Sequence, residues 1–128
     1  MPSCTVIPVL GYPDVGKAID WLCHTFGFSL RIRIAHHRAQ LNAGDGAIVI
    51  SEQVGLAGKD CHSVMVRVEN ADSHHRRATQ HGARVLASPA DYPFGERQYT
   101  VEDFAGHRWT FSQSIADVDP KDWGGTSS

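Results

Sequence analysis

The sequence has no basic excess: 12 Lys and Arg stand against 14 Asp and Glu, a net charge of −2. A protein that neutralises a phosphate backbone concentrates positive charge, so nucleic acid is not expected as a partner. Long apolar runs are missing too. No stretch approaches the ~18 residues that span a bilayer, and MPSCTVIPVLGY has no basic segment ahead of its apolar part. No membrane association is expected. The cysteines, Cys4, Cys23 and Cys61, form no C-x-x-C pair and are odd in number, which excludes a fully paired disulfide framework and points to a reducing cytosol. Low-complexity sequence is confined to the terminal DVDPKDWGGTSS, which reads as a loosely held tail.

What the chain does have is enough apolar residue, 41% of 128, to bury a core without disulfide or metal staples, as one domain or two small fused halves. CTVIPVL, residues 4–10, is a β-rich run, and Gly-Tyr-Pro-Asp then offers Asp14 as a helix N-cap. From Asp14 to Phe26, apolar Val15, Ala18, Ile19, Leu22 and Phe26 recur at helical spacing, and Gly27 is placed to end the helix. LRIRIA alternates, with Leu30, Ile32 and Ile34 on one face and Arg31 and Arg33 on the other, the period of a half-buried strand. HRAQLNA and AIVIS follow as strands around Gly44-Asp45-Gly46, and EQVGLAGKD reads as a connecting loop.

Then the same grammar begins again. HSVMVRV alternates, NADSHHRRATQHG is a polar helix ending at Gly82, and ARVLA, RQYTVED and GHRWTFS are strands. The order is β-α-β-β-β twice, with a period of about 55 to 60 residues when Gly27 is set on Gly82 and Gly46 on Gly106. The expected organisation is a first module over residues 1–53, a linker over 54–61, a second module over 62–115 and a tail over 116–128.

Three stretches, VIPVLGYPDVGKAIDWLCHTFGF, VMVRVENADSHHRRATQHGARVL and YPFGERQYTVEDFAGHRWTFSQ, resemble the glyoxalase / bleomycin-resistance / extradiol-dioxygenase superfamily, the vicinal oxygen chelate proteins. The similarity covers nearly the whole chain, although the closing hairpin, Asp103-Phe104-Ala105-Gly106, keeps only the ends of the family pattern. The resemblance implies an α+β fold of two tandem βαβββ modules, a mixed sheet curled around a cleft with helices on the convex face, and a homodimer. Many members hold a divalent metal by one His or Glu from each of four strands. Counting from Asp14, from Asn70 and from the closing hairpin, those positions fall on Ile7, Ser63 and Thr110, and the duplication carries the last to Ile50. Aliphatic and hydroxyl groups make no framework for such an ion. The cleft therefore reads as metal-free, and no cofactor is expected. His62 neighbours one of these positions, but a one-residue step turns a strand side chain to the opposite face. His74, His75 and His81 read as solvated or helix-capping residues, and His107 as structural.

Parity sorts the remaining candidates, since residues two apart share a strand face. Thr110 brings Arg108 and Ser112 into the cleft and leaves Trp109 and Phe111 as core. Ser63, Met65 and Arg67 form one cleft row; Arg31 with Arg33, then Arg38, Gln40 and Asn42, then Gln98, Thr100 and Glu102 form others. The ligand-binding set is thus Arg38, Gln40, Ser63, Met65, Arg67, Gln98, Thr100, Glu102, Arg108 and Thr110. Arg97 and Tyr99, on the opposite parity, anchor the sheet or its loop. Tyr92-Pro93-Phe94-Gly95 is a turn that could serve as a lid.

The guanidinium-rich inventory fits a small polar ligand, anionic if two or three Arg side chains converge; the bland alternative is a solvated face or ion pairs across a dimer. The leading expectation is a cytosolic, dimeric, metal-free binding protein of glyoxalase/bleomycin-resistance type. The competing class is an enzyme: a metal-dependent lyase, isomerase or dioxygenase with a shifted site drawn from His37, Glu52, His62 and Glu102, or a metal-free acid–base catalyst using Glu102. A third is a structural module whose cleft is filled by its own side chains.

Overall fold

The computed structural model describes residues 6–53 and 63–117. Along the chain run β1 (Val9–Tyr12), α1 (Val15–Phe26), β2 (Ser29–Ile34), β3 (Arg38–Ala43), β4 (Gly46–Glu52), β5 (Val64–Arg67), α2 (Ala71–Gln80), β6 (Arg84–Tyr92), β7 (Glu96–Glu102) and β8 (Arg108–Ser114). This is the anticipated βαβββ unit, twice. The strands form two four-stranded mixed sheets, ordered β1-β4-β3-β2 and β5-β8-β7-β6. Strand β1 begins after Pro8, which has no N–H for a ladder, and continues through Gly11 and Tyr12.

Local chemistry sets the helix ends. The Asp14 carboxylate accepts from the Lys17 amide at 3.0 Å, and Gly27, at φ 80°, closes α1 in the left-handed conformation that glycine adopts without steric cost. In the second module the Asn70 side chain caps α2 through the Ser73 amide at 3.0 Å. The linker proposed at 54–61, Cys4, Cys61 and His62 lie outside the described residues, as does the chain from 118 onward.

The edge strands depart from simple alternation. Leu30 stands opposite Leu41, but Ile32 stands opposite Gln40, so β2 carries a bulge at Arg31; β6 shifts likewise between Val85, opposite Val101, and Ala87, opposite Thr100. A bulge reverses face parity for everything beyond it. Ile32 and Ile34 consequently share the outer face with Gln40 and Arg38, whereas Arg33 turns to the helix side, beside Gly16. The expectation that Leu30, Ile32 and Ile34 share one buried face, with Arg33 in the cleft, is thereby corrected: every residue of β2 is exposed.

The helix-bearing faces of both sheets contribute to one core, in which Phe26 and Phe28 of the first module meet Trp109 and Phe111 of the second. Trp109 and Phe111 are fully buried, as parity implies, each contributing roughly 2–3 kcal/mol by burial. Among the polar contacts that join the modules, two centre on the side chains of Asp103 and His74. Asp103, itself buried, accepts from the Tyr12 hydroxyl at 2.7 Å, the Trp109 indole at 3.0 Å and the backbone amides of Ala105 and His107 at 3.0 and 2.9 Å. Burial, and then the Asp103 charge, push the Tyr12 phenol far above its ordinary range, so it stays a donor.

His74 is the second contact. Far from being solvated, it is half-buried against Phe111, donates from Nε2 to the Phe26 carbonyl at 3.0 Å and accepts at Nδ1 from the Tyr99 hydroxyl. A carbonyl can only accept, which fixes this tautomer. Desolvation lowers the His74 pKa below 6.5, outweighing the carbonyl bond that favours protonation, and Arg77 lowers it further.

Two predictions follow from these contacts. Asp103→Ala leaves buried donors unpaired and is expected to cost about 3–5 kcal/mol in urea unfolding, against about 1 kcal/mol for Tyr12→Phe. For His74 the unfolded chain takes up the proton first, so the stability of the neutral buried ring is complete above about pH 6.5 and is lost as pH falls towards the lowered native value. His74→Gln should flatten the dependence of unfolding free energy on pH below about 6.5.

Candidate ligand-binding face

The outer face of the second sheet is built from direct cross-strand neighbours. Thr110 stands opposite Met65 and Thr100, Ser112 opposite Arg67 and Gln98, and Arg108 opposite Glu102. These eight residues share one face, as their parity implies. Ser63, exposed, lies two residues before Met65, just ahead of β5. Arg38 and Gln40, opposite Ser51 and Val49, lie on the outer face of the other sheet. Since the two sheets share a core through their helix sides, one chain does not bring these last two to the others.

The second-module face is wired internally. Arg67 pairs with Glu96 at 3.0 Å, the Ser112 hydroxyl donates to the same Glu96 oxygen at 2.6 Å, and the Gln98 amide donates to Ser112 at 3.0 Å. The hydroxyls of Thr100 and Thr110 share a hydrogen bond at 3.0 Å, and Arg84 approaches Glu102 at 3.9 Å. Ser112 is buried beneath this lattice, while Arg67 keeps most of its surface in water. Glu96 is the member that sequence reasoning missed. It lies two residues before Gln98, so extending the Gln98-Thr100-Glu102 row one step finds it. Arg67 thus already has a carboxylate partner, which reduces what it offers an anion.

Arg97 and Tyr99 lie beneath, on the helix side. Arg97 binds Asp72 of α2 at 2.9 Å and Asp91 of β6 at 2.7 Å, which makes it the sheet anchor that its parity suggests. Tyr92 and Phe94 stack on each other at 5.4 Å around the β6–β7 turn.

The four family metal positions need one correction. Ile50 stands opposite Leu10, fully buried in the core, and not on the outer face. Its neighbour Val49 shares the face of Gln40 and is the counterpart of Thr110, just as Ile50 is the counterpart of Phe111. The β3–β4 turn is shorter than the β7–β8 turn, so aligning Gly46 on Gly106 slips β4 by one residue and reverses its faces. The quartet becomes Ile7, Val49, Ser63 and Thr110. It contains no imidazole and no carboxylate, and it does not fit a divalent cation. Among the described residues no group of three or more His, Cys, Asp and Glu could hold a metal. His37 and Glu52 do meet, at 3.8 Å, but on the sheet opposite to Glu102. Cys23, the one described cysteine, is no ready nucleophile, since burial and then Asp20 push its thiol pKa up.

Two mixed sheets built from repeated βαβββ units, the second with a polar row on its outer side, define a class of two-module α+β proteins. The sequence profile of the Glyoxalase/Bleomycin resistance protein/Dioxygenase superfamily matches residues 6–111, and the chain belongs to that superfamily. Among solved structures it is similar to TioX from Micromonospora sp. ML1, with 34% identity, 88% of this chain and 100% of that one covered, and a TM-score of 0.76. A glyoxalase/bleomycin resistance protein/dioxygenase from Nocardioides shares 18% identity over 100% of this chain and 91% of its own, with a TM-score of 0.69. The fosfomycin resistance protein FosX from Mesorhizobium loti shares 15% over 88% and 93%, also at 0.69. These last two share the fold. No curated protein sequence matches the chain. No helix among the described residues is long and apolar enough to cross a membrane.

The corrected register is testable by stability alone. Ile50→Ala, a truncation in the core, is expected to cost about 3 kcal/mol. Thr110→Ala, which removes one partly exposed hydroxyl pair, is expected to cost about 1 kcal/mol, both read by urea unfolding.

Proposed function

We propose that this protein binds a small polar molecule in a metal-free cleft against the outer face of its second sheet, in the cytosol, and that a second copy of the chain closes that cleft. The observation that carries this reading is the pre-assembled lattice of Arg67, Glu96, Ser112 and Gln98 beside Thr100 and Thr110, with non-ligating side chains at the metal positions. Groups held by one another are preorganised, so a ligand meets donors and acceptors already in place. An anionic group on the ligand would look to the guanidinium groups of Arg38 and Arg108 on the two outer faces.

The homodimer is supported by the other outer face. Val9, Ile32 and Ile34 are 56%, 43% and 52% exposed there, and Met65 is 61% exposed on the second sheet. Apolar side chains gathered on a polar-rimmed face suit a covering surface. The first module of another copy, laid over the polar row, would set an apolar wall against the lattice. The competing reading, a lyase, isomerase or dioxygenase with a shifted metal site, draws on the His37–Glu52 pair but lacks a third ligand beside it among the described residues.

The test combines metal analysis with a thermal-shift screen of small carboxylates, phosphates, antibiotics and divalent ions. Protein purified without a His tag is expected to hold no stoichiometric ion. A binder at 100 times its Kd should stabilise the fold by about 2.7 kcal/mol. Calorimetry on Arg38→Ala and Arg108→Ala is expected to show at least about tenfold weaker binding of an anionic hit. One tightly held metal per chain would instead support the enzyme.

A further inference from the structure

The duplication lets the two halves be compared position by position, and at one junction they differ. In the first half, the end of β1 is sealed by the β7–β8 turn. Phe104 stacks on Tyr12 at 5.8 Å, His107 meets the Tyr12 ring edge-on at 4.8 Å, and His107 Nε2 donates to the Gly11 carbonyl at 2.7 Å. Leu10 and Tyr12 are buried as a result. Counted from the caps Asp14 and Asn70, the counterparts of Leu10, Gly11 and Tyr12 are Val66, Arg67 and Val68. The counterpart of the turn at 103–107 is Gly44-Asp45, too short to supply either ring.

Among the described residues, an open groove of about 810 Å3 stands where those rings would be, between β5 and the β3–β4 turn. Val66 and Val68, only partly buried, form its floor, Val6, Pro8 and Ala47 its walls, and Asp45 and Glu69 its exposed rim. The groove borders the polar face at Met65 and Arg67, but its floor is the row of valines packed on the core side.

We infer that this groove is a second binding site, for a small planar aromatic molecule that is neutral or cationic and carries an N–H donor. The ring takes the seat that Phe104 and His107 fill in the other half, over Val68 in place of Tyr12. Its N–H donates to the carbonyl of Arg67, the counterpart of the Gly11 carbonyl; β1 and β5 keep the same register against β4 and β8, so both carbonyls face the open strand edge. The rim carboxylates disfavour an anion, the opposite of what Arg38 and Arg108 would favour on the sheet faces. The two sites are therefore separable by ligand charge.

The test is titration of the 15N-labelled full chain with benzimidazole, benzamidine and benzoate, followed by amide shifts and calorimetry. Benzimidazole and benzamidine are expected to bind with about millimolar or tighter affinity, moving the amides of Gly44, Gly46, Val66 and Val68, and benzoate is not. Val68→Tyr, which copies Tyr12 into the groove, should weaken both by at least about tenfold without lowering Tm. Asp45→Asn with Glu69→Gln, a pair of surface changes that leaves the floor intact, should weaken benzamidine several-fold more than benzimidazole. The inference is overturned by shifts confined to the Thr100 and Thr110 face, by the absence of saturable shifts, or by unchanged binding in both variants. Binding that emerges only after deletion of residues 1–5 also overturns it, since the groove would then belong to the chain's own N-terminal segment.

Discussion

One buried carboxylate holds the architecture in register. Asp103 gathers a phenol, an indole and two amides, and those four donors come from β1, from β8 and from its own turn. Taking a carboxylate out of water costs several kcal/mol unless its lone pairs are occupied, so the Tyr12 and Trp109 donors favour the closed turn. Trp109 then faces the core, and by alternation Arg108 and Thr110 face outward. The polar row of β8 is thus set by a contact on the other side of the sheet.

That outward row is a lattice more than a set of free groups. Glu96 stands at its centre, neutralising Arg67 and accepting from Ser112, whose oxygen in turn receives Gln98. A face so arranged presents both donors and acceptors at little net charge. The first sheet is different in kind, because Val9, Ile32 and Ile34 give its outer side an apolar character. The two halves, alike in fold, thus present outer surfaces of different chemistry.

Most of the fold was legible because its signals are local. Asp14 and Gly27 mark α1 by side-chain chemistry that operates within a single turn, and the alternation around Val64–Arg67 and Arg108–Ser114 separates core from surface without knowledge of neighbours. The site was legible to the extent that it repeats this alternation. It failed wherever a single residue is inserted. The bulge at Arg31 moved Arg33 to the helices, and the unequal turns displaced Ile50 by one position, errors that no periodicity within a strand can reveal. His74 was missed for another reason. Its helix is polar overall, and only tertiary packing, which brings the Phe26 carbonyl, the Tyr99 hydroxyl and the Phe111 ring to it, half-buries it.

The bulges of β2 and β6 share a position as well as a geometry. Leu30 and Val85 precede the extra residue at the same distance from Gly27 and Gly82, and the partners across the ladder, Leu41 with Gln40 and Val101 with Thr100, change at equivalent steps. An irregularity shared at one position gives both edge strands the same exchange of faces, so side chains beyond it turn outward where simple alternation would turn them inward. The long closing turn with Phe104 and His107 has no such twin, and the two halves are matched at their kinked edges but unequal at their closing hairpins.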